Sequence, residues 1–199
     1  MAKRTPAVFA TIKPMPPIVL ALIAVVALGL WLTPLLRMRS QNRSKTVQTI
    51  DRRARWGVLL EAAGYSLMWV SGLWNRSPAV WQLMLAIVLL VLAVTISFEA
   101  AAALGSQLRI DASLSTDHRL IRSGPYRWVR HPVYSSFLCL SLGTGLLLAP
   151  LWLMALGVAV FLCGTEIRVR VEDAMLAARF GQEFEQYRSA VSAYLPGLR

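Results

Sequence analysis

The sequence predicts an all-α integral membrane protein with about five transmembrane helices. The last two form a tight helical hairpin, and a cytosolic C-terminal helical segment follows them. Three observations carry this. Of 199 residues, 56% are hydrophobic and 16% charged, and the mean hydropathy is +0.54, whereas a soluble domain is about a quarter charged. The apolar residues collect into five runs, 18–36, 57–73, 79–98, 133–149 and 151–167, each close to the length that crosses about 30 Å of hydrocarbon. The connections between the runs alternate in basic content, with 4 Lys and Arg on one side against 17 on the other. That asymmetry is the bias that orients membrane chains, and it places the N-terminus outside and the C-terminus in the cytosol; the membrane is expected to be a bacterial inner membrane. The net charge of +11 is thereby accounted for by topology and by attraction to anionic headgroups, not by nucleic acid.

The elements follow in order. The run 18–36 is too long for a secretory leader, lacks a small-residue cleavage pattern and precedes a basic loop, so it is expected to be a true span. The second run is bracketed by Trp56 and Trp74, residues that favour the membrane–water interface. Glu61 lies one to two turns inside it and reads as an interfacial carboxylate answering a nearby Arg, ahead of any functional role. The fourth and fifth runs are separated by little more than Pro150, so they should run antiparallel and touch. Ser141 and Gly145 on one, and Gly157 and Gly164 on the other, offer close approach. The hairpin sets Arg130, His131 and Pro132 beside the segment from Glu166 onward.

The fifth helix is expected to continue past the bilayer, with Arg168 and Glu172 four residues apart on one face. Gly181 should end it. A second helix from Gln182 would then carry Phe184, Tyr187 and Val191 on one side and lie on the membrane surface or lid a site. Cys139 and Cys163 lack metal-ligand spacing and read as small buried thiols. No metal is implied. The chain is expected to form one membrane domain, with three N-terminal spans in 1–98 and a catalytic-type core in 99–199.

The chemistry concentrates before the fourth run. Arg122, Arg127, Arg130, His131, Tyr126, Trp128, Tyr134, Pro125 and Pro132 crowd the point where the chain should be shedding polar groups. Polar residues held at membrane depth are costly and mark a site. The mixture suits a ligand that is both anionic and flat.

From Leu104 to the C-terminus the chain resembles the isoprenylcysteine carboxyl methyltransferase family, including its prokaryotic membrane relatives. The resemblance rests on Leu104-Gly105, then Asp117-His-Arg-Leu-Ile-Arg-Ser-Gly-Pro-Tyr126, then Arg130-His-Pro-Val-Tyr134. A helical hairpin follows, then Arg168 with Glu172-Asp173, Phe180-Gly181, Glu183, Tyr187 and Pro196. Asp173 stands where many relatives carry the second acid of a Glu-Glu pair. The resemblance implies an S-adenosyl-L-methionine-dependent enzyme whose cofactor pocket is built from the hairpin and its flanking segments. Carried over by position, the cofactor would be contacted by His118, Leu120, Ile121, Tyr126, His131, Pro132, Val133, Tyr134 and Glu172, and Arg168 would take the acceptor carboxylate.

These residue types suit the cofactor. Arg130 or His131 can bind its carboxylate through charge-assisted bonds. Tyr126, Trp128 and Tyr134 can face the sulfonium. Glu172 can accept the ribose hydroxyls, and Leu120 and Ile121 can sandwich the adenine. The implied partners are a lipophilic small molecule or prenylated substrate and membrane lipids. Other readings of the same patch are an NADPH-dependent membrane reductase of sterol-reductase type, a phospholipid or amine N-methyltransferase, and a non-enzymatic lipid-binding scaffold.

Overall fold

The computed structural model describes residues 15–41, 47–50, 53–70, 77–105, 113–115 and 119–197. His118, Asp117 and Trp74 lie outside the described residues. Among the described residues six helices dominate: α1 (Pro17–Gln41), α2 (Ala54–Val70), α3 (Val80–Leu104), α4 (Pro132–Leu148), α5 (Leu151–Phe180) and α6 (Gln182–Ala190), with a 3₁₀ turn at Gly124–Arg127. One departure from the all-α expectation is a small antiparallel ribbon of β1 (Val47–Ile50) and β2 (Ser113–Ser115). It ties the loop after α1 to the loop after α3, so both loops share one side of the molecule.

Among the described residues, three helices are long and apolar enough to cross a membrane: α1 over Pro17–Arg37, α3, and α5. The α4 helix is a shorter apolar helix. Much of the apolar surface points outward, including Leu22, Val26, Val88 and Val91, as it must when the surrounding solvent is hydrocarbon. Exposed tryptophans bracket this band. Trp56 in the first turn of α2 and Trp128 just before α4 lie at one end, and Trp81 and Trp152 open α3 and α5 at the other. This is an integral membrane protein.

The helix pairing differs from the expected hairpin in an instructive way. Pro150 does turn α4 directly into α5, but the broad contacts are α2 with α5 and α3 with α4. Gly157 and Gly164 do not face α4. Gly164 packs on Gly57, and Gly157 packs on Gly64; a Cβ at any of these four would collide with the opposing backbone or side chains. The spacing is seven residues on both helices, so the two pairs lie on one face and admit close backbone approach. On α4, Gly145 does meet α5, at Met154, whereas Gly143 receives Leu90 of α3. Ser141 is fully buried.

α1 closes the other side. Trp31 donates to Ser136 Oγ (2.9 Å), and Ser97 donates to the Trp31 carbonyl (2.9 Å). An apolar groove of about 510 Å³ runs between α1 and α3, lined by Val19, Ile23, Val26, Ile87, Val91 and Val94. It is remote from the polar residues. Of the two cysteines expected to be buried, Cys139 is half-buried but Cys163 is exposed on α5, because α5 turns its glycine face, not this one, toward α2.

Candidate functional site

The polar cluster forms where α4 begins and where α5 leaves the apolar band. Gly124 adopts φ +59°, a conformation that favours glycine, and Pro125 follows at the first turn of the 3₁₀ segment. The chain then runs alongside the C-terminal segment. Arg130 N–H donates to the Ser192 carbonyl and His131 N–H to the Ala193 carbonyl, both at 2.8 Å. Pro132 opens α4, where its missing N–H costs nothing. These constraints hold His131 at the helix cap and Tyr134 on the first turn.

α5 supplies the opposing groups. His131 Nε2 lies 2.8 Å from Asp173 Oδ1, and Nδ1 lies 3.3 Å from Glu172 Oε2. Arg130 Nη2 donates to Asp173 Oδ2 at 2.9 Å. Tyr134 OH donates to Glu172 Oε1, and its ring sits under the Arg168 guanidinium, 4.9 Å from the ring centroid. Arg168 Nη2 is 3.8 Å from Glu172 Oε1, a loose i,i+4 pair, but Nη1 donates to Glu61 Oε2 at 2.8 Å. Thr165 donates to the other Glu61 oxygen at 3.0 Å. Glu61 is only 2% exposed. The expected ion pair at Glu61 is therefore present, but its partner is Arg168, 107 residues on.

Both nitrogens of the buried His131 face carboxylates. Burial alone would lower its pKa. The hydrogen bonds and charges of Asp173 and Glu172 outweigh that and hold it up at about 9. With His131 protonated, three cations (Arg130, His131, Arg168) face three carboxylates (Glu61, Glu172, Asp173), and the cluster is neutral.

A pH dependence follows. A raised imidazole pKa gives stability that is complete below the ordinary histidine value of about 6.5 and is lost as pH rises through about 9. Thermal midpoints in detergent should fall between pH 7 and 9.5, and His131→Gln should flatten that part of the curve. A wild-type midpoint that is level or rising over this range would count against the paired imidazolium.

The α6 segment lids this end. Tyr187 OH donates to the Tyr126 carbonyl, and Arg122 reaches Glu183 Oε1 at 3.1 Å. Phe184 and Tyr187 are buried, as their shared face predicts. Arg130 also donates to the Arg188 and Val191 carbonyls.

The expected site residues separate into groups. Arg130, His131, Tyr134, Arg168 and Glu172 converge, and Tyr126 is buried under the lid. Leu120 and Ile121 are half-buried on the strand of chain entering the 3₁₀ turn. Pro132 is fully buried, while Val133 packs toward the apolar core. Trp128 is a correction. It is 67% exposed, with Arg127 stacked over it at 5.2 Å, so it belongs to the interfacial belt and not to the buried aromatic pair. Asp173 and Glu61 were not among the candidates. Asp173 is signalled by its place as the second acid of the Glu172-Asp173 pair, and Glu61 only by being a carboxylate within an apolar run.

The donor set can be tested against the implied cofactor. Arg130 Nε is buried and has no hydrogen-bond partner, an orphaned charged donor that suits an anionic group. Two buried tyrosines, Tyr126 and Tyr134, and the acceptor oxygens of Glu172, to which Tyr134 donates, belong to the same end of the molecule. These residues fit S-adenosyl-L-methionine, which combines a carboxylate, a cation and a diol.

Residues 84–178 match the model of the isoprenylcysteine carboxyl methyltransferase family. The chain is 34% identical over 88 residues to the protein-S-isoprenylcysteine O-methyltransferase of Tribolium castaneum (44% of this chain, 31% of that protein). It is 38% identical over 80 residues to the one from Schizosaccharomyces pombe (40% and 34%), and 31% identical over 86 residues to the one from Homo sapiens (43% and 30%). The matched stretch thus spans about a third of the length of these relatives. A solved eukaryotic intramembrane Ras methyltransferase superposes with TM-score 0.63 at 21% identity, over 94% of this chain and 70% of that one. At that identity the likeness establishes the fold.

Proposed function

We propose, from the match of residues 84–178 to the isoprenylcysteine carboxyl methyltransferase family, that the protein is an integral membrane S-adenosyl-L-methionine-dependent methyltransferase. Its acceptor is a lipophilic carboxylate of isoprenylcysteine type. The observation that carries this reading is the buried juxtaposition of His131, Tyr134, Arg168 and Glu172 where α4 and α5 meet.

S-adenosyl-L-methionine supplies an electrophilic methyl group on a sulfonium. Arg130 would hold its carboxylate, Glu172 its ribose, and Tyr126 and Tyr134 its cationic face, with Leu120, Ile121 and the N-terminal end of α4 along the adenine side; His118 completes the expected set. Arg168 would orient the acceptor carboxylate, for which its fork of N–H donors is suited. An ionised carboxylate needs no general base, so positioning and exclusion of water carry the work. A neutral cluster also matches the ligands. The cofactor is a monocation overall and the acceptor a monoanion, so the loaded site stays neutral.

Five spans, an outside N-terminus and a cytosolic lid fit the paired loops and the basic bias, in a bacterial inner membrane; residues 99–199 would form the core and 1–98 its support. A reductase is less well served, since a 2′-phosphate beside Glu172 would meet a carboxylate. Calorimetry with S-adenosylhomocysteine and with NADPH, alongside methyl-label transfer to an N-acetylated S-farnesylcysteine, tests the reading. Binding of the first ligand alone, with label in the ester, is expected. NADPH binding alone would sink it.

A further inference from the structure

Glu61 lies outside the family-matched stretch, yet it makes the closest ion pair to Arg168. Burying an ionised carboxylate to this depth carries a large desolvation cost, and apolar side chains of similar size would pack as well. Nor do the helices need the pair to dock, since the opposed glycines Gly57/Gly164 and Gly64/Gly157 already join α2 to α5.

We propose that Glu61 is a positioning residue that both holds the Arg168 guanidinium and neutralises it, so that Arg168 aims the acceptor carboxylate without over-stabilising its charge. The inference rests on the acceptor being a carboxylate bound at Arg168. Its physical basis is the change in charge during methyl transfer. The carboxylate oxygen forms the new bond to the methyl group while the sulfur keeps the electron pair of the broken S–CH₃ bond. The acceptor therefore passes from an anion to a neutral ester. Surplus positive charge beside it stabilises the starting anion more than the half-neutralised transition state, which tightens binding and slows the reaction. Glu61 cancels that surplus. Thr165 and Arg168 occupy separate carboxylate oxygens, so the negative charge is fixed against Nη1.

The test is Glu61→Gln, in which the amide oxygen can still accept from Arg168 while the charge is gone. Calorimetry compares N-acetyl-S-farnesylcysteine with its carboxamide in the purified, detergent-solubilised full chain. The preference for carboxylate over carboxamide should rise about a hundredfold in Glu61→Gln, the effect of deleting one charge about 6 Å away at an effective dielectric near 20. Acceptor KM and kcat should fall together, with S-adenosylhomocysteine affinity unchanged. A mere structural support would do the reverse: KM would rise as Arg168 lost its place, and the preference would stay level or drop. Either result overturns the proposal.

Should Glu61→Gln fail to fold, the wild type decides. A neutralised Arg168 distinguishes carboxylate from carboxamide by less than about tenfold, and a larger ratio, in the range that close uncompensated charge pairs contribute, overturns the inference. Wild-type protein that binds S-adenosylhomocysteine but neither binds nor methylates the carboxylate would instead retire the acceptor assignment itself.

Discussion

Arg168→Ala is expected to lose methyl transfer by about 10²-fold, the typical cost of misplacing a reacting group, here the acceptor carboxylate that Arg168 orients for in-line attack. Affinity for S-adenosylhomocysteine should stay within a few-fold, because Arg168 stands 3.8 Å from Glu172 and only loosely supports it. The structure adds a second effect. The truncation strands Glu61, which is 2% exposed, without its cation. Breaking a buried pair from one side costs about 3–5 kcal/mol, so the thermal midpoint should fall sharply as well.

The two effects separate in the double variant Glu61→Leu/Arg168→Leu. Replacing both charges with apolar groups should recover most of the lost stability and none of the turnover. Methyl-label transfer and thermal unfolding in detergent measure the two quantities. Recovery of turnover in the double variant would show that Arg168 serves the fold alone.

Removing Glu172 should act on the cofactor. Glu172→Ala is expected to weaken S-adenosylhomocysteine binding by about 10–100-fold, the equivalent of one or two hydrogen bonds to a charged group. His131→Ala should weaken it comparably by another route. The imidazolium lies between Glu172 and Asp173. Without it, two carboxylates on adjacent residues of α5 face each other with only Arg130 and Arg168 to compensate, and both lose their orientation. The lid should suffer too, since Asp173 fixes Arg130, which in turn binds the carbonyls of Arg188 and Val191. Titrations that superpose on wild type for Glu172→Ala would remove that residue from the cofactor site.

Much of the site was legible because its parts are close together along the chain. The run from Arg122 to Tyr134 announces itself by placing charge at the mouth of an apolar helix. The α5 spacing of Arg168 and Glu172 puts both on one helical face. The turn at Pro150 then brings these two segments to the same end of the molecule, and His131 does meet Glu172 there. Gly181 ends α5 as expected, adopting φ +52° between two helices. Trp128 was misassigned because an aromatic in a polar loop reads the same whether it lines a pocket or lies at the headgroups, and only its surroundings tell the two apart.

Sequence alone determined that the chain is a membrane-embedded helical protein and where its chemistry is concentrated, because hydropathy, the alternation of basic loops and the order of short motifs are properties of neighbouring residues. It could not decide which helix α5 would choose as its partner. That choice went to α2, through glycine pairs more than ninety residues apart, and it delivered Glu61 to Arg168. Tertiary structure settled this because close helix approach depends on matching two surfaces at once. A glycine on one helix is only an opening until the facing helix presents another.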